Sequence, residues 1–278
     1  VYWRRINRRE EFFSTSKLGA FGADLAALSG FFDPPWRQPV AGMGEGRQAF
    51  VLTEAGFNLR ALGRLAEAVQ ALQSGQEVNI AQKDWKNAAR QASNLSGLAL
   101  TGGDLARALA TAHQSVELAD RSGDAFLRMA FRTTLADALH QAGRLADAEA
   151  AFREAEEMQK ARQPDFPLLY SFQGFRYCDL LLSQGKYQEV QHRANQDLEM
   201  IRQGALSSLL AIGLAYLSLG RAHLLQAQRA QTPPPPLSCQ ERGVDSPRPP
   251  PTWSAPWRAC NRQVTKTCCL LASVLNTR

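Results

Sequence analysis

Cysteine is almost absent from the body of this chain. Between residues 16 and 228 there is one, Cys178, so no disulfide framework can organise a fold there, and the composition suits a reducing compartment. An excess of basic charge is absent as well. The net charge of +6 belongs to the ends: residues 1–15 carry four Arg against two Glu, and residues 229–278 carry seven Lys/Arg against two acids. Residues 16–228 carry 21 basic and 22 acidic side chains, a balance of −1. A body without a basic stripe has little with which to neutralise phosphates, which argues against a nucleic-acid partner.

Catalytic and metal-binding patterns are missing too. There is no G-x-x-x-x-G-K-[ST] loop to cradle phosphates, no H-E-x-x-H and no G-x-S-x-G. The four histidines (113, 140, 192 and 223) each stand alone on a different helical segment. The tail cysteines (239, 260, 268 and 269) form no C-x-x-C pair and have no His at ligand spacing. No enzymatic activity, cofactor or metal is therefore expected. The chain opens at Val1, its first Met is Met43, and no charged segment followed by an apolar one begins it. A secretory signal is not expected, a cytoplasmic location is, and the start fits a piece of a longer reading frame. One uncharged stretch, residues 203–220, reaches the lower limit of about 17–25 residues for a membrane span. Three Gly, three Ser, a Gln and a Tyr dilute it, so it reads as a buried helix, and no membrane partner is expected.

What the sequence does hold is a repeat. Four segments align without gaps on Gly63, Gly103, Gly143 and Gly185, spaced by 40, 40 and 42 residues. Two residues after each glycine comes Leu65, Leu105, Leu145 or Tyr187, and three further on Ala68, Ala108, Ala148 or Val190. Seven residues before it stands a small side chain: Gly56, Ser96, Ala136 or Cys178. This is the spacing of a helical hairpin. The glycine takes the left-handed conformation that ends the first helix, and the small residues let the two backbones approach closely. Apolar residues at helical period fill the space between hairpins, as over 85–101 and 125–141.

The pattern resembles the tetratricopeptide repeat (TPR) in a variant of about 40 residues, with Phe152 and Ala155 completing the third copy. No Trp stands at the fourth position of any first helix, and Val190 replaces Ala in the fourth copy. The resemblance implies an all-α, right-handed α-solenoid over 45–228, built of four hairpins and one unpaired helix, and a non-enzymatic scaffold that binds a protein or peptide on its concave face. A narrower resemblance rests on LGAFGADLAALSGFFDPPW and LLYSFQGFRYCDLLLSQG. These are similar to TPR regions C-terminal to the nucleotide-binding domains of bacterial STAND-type signal-transducing ATPases. It implies the alternative of a sensor half separated from its ATPase part.

Residues 1–44 read as a basic segment and a capping helix over 16–32, stopped by Asp33-Pro34-Pro35. Residues 206–228 read as the first helix of a fifth repeat that lacks its second, because Pro233–Pro236 follow. Its leucines are expected to leave an exposed apolar stripe, to self-associate and to fray first. The tail, 229–278, is rich in Pro and Cys and is expected to be disordered or polyproline-like. A proline-rich linker and an interrupted coding frame both explain it, and the break in mid-repeat favours the second.

In the TPR family, ligands touch particular first-helix positions. Carried over by offset from each glycine, the resemblance gives Arg90, Asn94, Gly97, Thr133, Asp137, His140, Phe172, Arg176 and Asp179 as the partner-binding face. The two-carboxylate clamp of some members is disfavoured, since Phe57, Asp137 and Asp179 stand where it needs Asn. A mixed polar groove for an extended peptide or a partner helix is expected instead. Asp137 and His140 are read as a polar pair one turn apart. Glu154, Glu156 and Glu157 are read as solvated charge on an outer face.

Overall fold

A computed structural model describes residues 2–6, 8, 13–204 and 209–231. Among these the chain is all-helical. The sole β pairing is an isolated bridge between Phe32 and Pro39. The expectations for the tail cysteines and Pro233–Pro236 lie outside the described residues.

Four helical pairs follow one another. They are α2 (Glu45–Ala61) with α3 (Leu65–Ala81), α4 (Trp85–Gly102) with α5 (Leu105–Ser122), α6 (Ala125–Gln141) with α7 (Leu145–Arg162), and α8 (Ser171–Ser183) with α9 (Tyr187–Arg202). Helix α1 (Phe21–Ser29) precedes them and α10 (Leu209–Gln231) follows. Each helix packs on the next, and the first helices also touch each other, α4 on α6, α6 on α8 and α8 on α10.

The hairpin turns fall on the repeat glycines. Gly63, Gly103, Gly143 and Gly185 have φ of 75°, 81°, 79° and 75°. In each, the amide after the glycine donates back across the turn, as Arg64 N does to the Leu59 carbonyl at 2.9 Å and Arg144 N to Leu139 at 2.9 Å. That 6→1 closure satisfies carbonyls a helix end leaves open. The contact alanines also take their expected places. Ala68, Ala108, Ala148 and Val190 are fully buried. At Gly56 an added Cβ would sit 2.6 Å from the Leu72 side chain, so only hydrogen fits without a shift.

Two features went unread in the sequence. Asp84, Asp104 and Asp124 cap α4, α5 and α6 at 20-residue intervals, each accepting from backbone amides of the first turn. Between hairpins, Gly123 (φ 68°) turns α5 into α6, but Lys83 (φ 58°) does the same work between α3 and α4.

The N-terminal segment differs from expectation. Residues 16–32 do not form one helix: Gly19 (φ 62°) separates a π-helical turn, Phe13–Lys17, from α1, which ends at Ser29 ahead of the prolines. Tyr2, Leu25, Leu28, Phe32 and Trp36 join Val51, Leu52, Ala55 and Leu59 in one core cluster. The Tyr2 hydroxyl donates to Asp24 Oδ2 at 2.9 Å, and Ser14 Oγ donates to the same oxygen at 2.9 Å. The main cluster runs from α4 to α10, centred on Phe152, whose ring stacks on Tyr177 at 4.8 Å. Helix α10 is long and apolar enough to cross a membrane by length and composition, and it docks on α8 and α9 through Ala211, Leu214, Ala215, Ser218 and Ala222.

Candidate functional site

The first helices carry a polar ladder at the repeat period. Ser93 Oγ lies 3.0 Å from Thr134 Oγ1, and Arg176 Nη1 donates to Thr134 Oγ1 at 2.9 Å, so one row of hydrogen bonds joins α4, α6 and α8. Arg60 Nη1 on α2 donates to Asn94 Oδ1 on α4 at 3.1 Å. Further along, Arg176 Nε lies 3.3 Å from Asp137 Oδ2, His140 Nδ1 3.7 Å from Asp179 Oδ2, and Arg221 Nη2 donates to Asp179 Oδ1. Burial raises the pKa of Asp137; the Arg176 guanidinium opposes that shift and the Asp179 charge adds to it.

Asp137 and His140, one turn apart on α6, stay close enough for His140 to act on the Asp137 carboxyl, and each also reaches across to α8, Asp137 to Arg176 and His140 to Asp179. Asp137 and Asp179 are thus committed to internal ion pairing, at the protein's own helix contacts.

Upstream of that row the first helices open into a groove. It is lined by Arg60 of α2, by Arg90, Ser93, Asn94 and Gly97 of α4, by Phe126, Phe131 and Thr134 of α6, and by Phe172, Gln173 and Arg176 of α8. It narrows to a cavity of about 60 Å³. That is far below the ~300–1,000 Å³ of sites that engulf small molecules, and suits a side chain entering from outside. Arg176 sits over the Phe172 ring with its guanidinium carbon 4.2 Å from the centroid, and the buried Thr134 and Asp137 fix its head.

Of the sequence-derived positions, Arg90, Asn94, Gly97, Phe172 and Arg176 come together here. Asp137, His140 and Asp179 belong to the ladder beside it. Thr133 is corrected: it does not line the groove, and its hydroxyl donates to the Ala130 carbonyl of its own helix at 2.6 Å. The groove residue is Thr134. Asn94 and Arg176 stand nine residues before their glycines, and so does Thr134, so the alignment held that signal. Phe126 and Phe131 were missed, being at offsets not carried over; Arg60 stands three residues before Gly63, the offset of His140, but was not taken from the first repeat.

The acidic patch is also corrected. Arg193 on α9 clamps Glu156 with Nη1 at 2.6 Å and Nη2 at 3.0 Å, and Leu169 N donates to Glu156 Oε1 at 3.0 Å. Glu154 accepts from Arg132 Nε at 2.5 Å. Glu154 and Glu157 are both exposed, as expected, so the correction falls on Glu156. Cys178 lies under α9, and burial pushes its thiol up to about 12, which leaves it a packing group rather than a nucleophile. No family model matches the chain, and no curated protein matches it.

Proposed function

We propose that the chain is a non-enzymatic protein-interaction scaffold: TPR-like hairpins stacked as a right-handed α-solenoid, holding a protein or peptide segment on the concave face made by the first helices. One observation carries the reading. Every residue lining the groove comes from α2, α4, α6 or α8, and none from a second helix. In a stack of hairpins the first helices share one face, so a single extended segment laid across it meets each repeat in turn.

The ladder adds support. Hydrogen bonds between successive first helices tie together side chains that line the groove, and so favour one arrangement of that face. A preformed face lowers the ordering cost of binding.

The test compares faces. A photo-crosslinking amino acid replaces Gln173 in the groove, or Glu157 on the outer side, in the full chain expressed in its own cells. Crosslinks to one discrete protein from position 173 and none from 157 are expected. The reverse pattern overturns the proposal.

A further inference from the structure

A buried carboxyl sits under the last helix. Asp197 lies between α8, α9 and α10, beside a cavity of about 10 Å³ that admits a single water. Its Oδ2 accepts from Ser171 N at 3.0 Å, its one hydrogen bond among the described residues. Arg193, one turn earlier on α9, is committed elsewhere: its guanidinium donates to Glu156 of α7 and to Glu189. The Cys178 thiol of α8 lines the same cavity, and α10 brings Leu214, Ala215 and Ser218 but no charge.

The three walls of that cavity are not held alike. Helix α8 also packs on α6 and α7, and α9 is tied to α7 through Arg193 and Glu156. Helix α10 packs chiefly on α8 and α9 themselves, with Arg221 on Asp179 as its charged tie. A carboxylate buried with no counter-ion of its own is costly, and a cavity of one water cannot hydrate it. Lifting α10 admits the water it lacks.

We propose that α10 is a pH-gated latch, closed on α8 and α9 while Asp197 keeps its proton and lifted when the carboxyl ionises. Burial raises the Asp197 pKa to about 7, against the opposing pull of the Ser171 hydrogen bond and of Arg193. Once α10 lifts, the carboxyl meets water and returns toward its ordinary value of about 3.9. The closed form therefore binds the proton more tightly. Its advantage is whole below about pH 4 and is lost as pH rises through about 7. Opening uncovers the apolar cluster in which Leu214 packs with Phe172 and Phe175. Phe172 also lines the groove, so the latch reaches the face formed by the first helices.

The experiment is hydrogen exchange on the full chain between about pH 5.5 and about pH 8, with exchange times scaled for the intrinsic amide rate. A helix that leaves its packing frays, so amides of α10 over 209–222 should lose about tenfold in protection across that range. Those of α5 should keep theirs. In the wild type the loss should follow a one-proton curve centred near pH 7, a readout that needs no variant. Asp197→Asn keeps an acceptor for Ser171 N and cannot ionise, so its α10 should be protected equally throughout. Protection in α10 that does not change with pH would overturn the latch. So would a loss shared equally by α5, which is global unfolding, or the same loss in Asp197→Asn. A loss confined to the first turn of α8 would overturn it as well, by making α8 the wall that moves.

Discussion

Ser96 Oγ on α4 donates to the Ala108 carbonyl on α5 at 3.0 Å, with both residues fully buried. In this hairpin the small residue of the first helix and the alanine of the second therefore meet where the two helices approach closely. A large side chain at that alanine must push the helices apart. Ala108→Trp and Ala148→Trp are each expected to lower stability by about 1–3 kcal/mol or more, read from urea midpoints. Unchanged midpoints in both would remove the close-contact assignment.

The two kinds of turn make opposite predictions. Gly103 holds φ of 81° at no steric cost, whereas Lys83 holds 58° with a Cβ. Left-handed backbone costs an L-residue about 1–2 kcal/mol. Gly103→Ala should therefore destabilise and Lys83→Gly should stabilise, each by about 1 kcal/mol. Destabilisation by Lys83→Gly would mean that the lysine stem contributes more than its backbone costs.

Asp197 sets a pH dependence. It is buried on α9 and accepts from Ser171 N, at the start of α8, at 3.0 Å. Burial raises its pKa to about 7, against the opposing pull of that hydrogen bond and of Arg193. A folded pKa above the unfolded value of about 3.9 means the native state holds the proton more tightly. The contribution is present below about pH 4 and is lost as pH rises through 7. The depressed carboxylates Asp120, Asp124 and Glu149 act the other way, so the wild type alone is a poor readout. Subtracting Asp197→Asn isolates the effect: the variant should gain on the wild type steadily from pH 4 to 7.5. A difference that does not change with pH would place the Asp197 pKa near its ordinary value.

Local rules made the hairpins legible. A glycine that ends a helix and small residues at fixed offsets act within one repeat, so Gly63 to Gly185 and Ala68 to Val190 could be placed from the sequence. The groove was half legible, because Asn94 and Arg176 share one offset from their glycines and Arg90 and Phe172 another. Arg60 shares the offset of His140, yet that its head lies against Gly97 on the next helix is a relation no single repeat displays. The same limit explains Glu156. A glutamate on a second helix reads as solvated until Arg193, 37 residues on, is seen to clamp it.

The last helix carries the last prediction. One face of α10 is buried through Ala211, Leu214, Ala215, Ser218 and Ala222, and Arg221 ties it to Asp179. That docking opposes the fraying expected of an unpaired helix. The opposite face stays uncovered: Leu209, Tyr216 and Leu224 are 85%, 62% and 56% exposed. Gly213 and Gly220 lie along the same stripe, and an added Cβ at either would meet nothing within 4 Å. Exposed glycines inside a helix cost stability, but they let a second backbone approach closely. Burying the three large side chains offers at most about 1.5–3 kcal/mol each, against an association cost of about 4–15 kcal/mol. The net is a weak contact, so light scattering should show a mass that rises with concentration in the micromolar range. Tyr216→Lys with Leu224→Lys should return the chain to monomer without lowering its melting temperature, because neither side chain belongs to the docked face. A wild-type chain that stays monomeric would leave the stripe unpartnered by its own kind. Flotation with phosphatidylcholine vesicles, removed by the same two substitutions, would then assign it to a lipid surface instead.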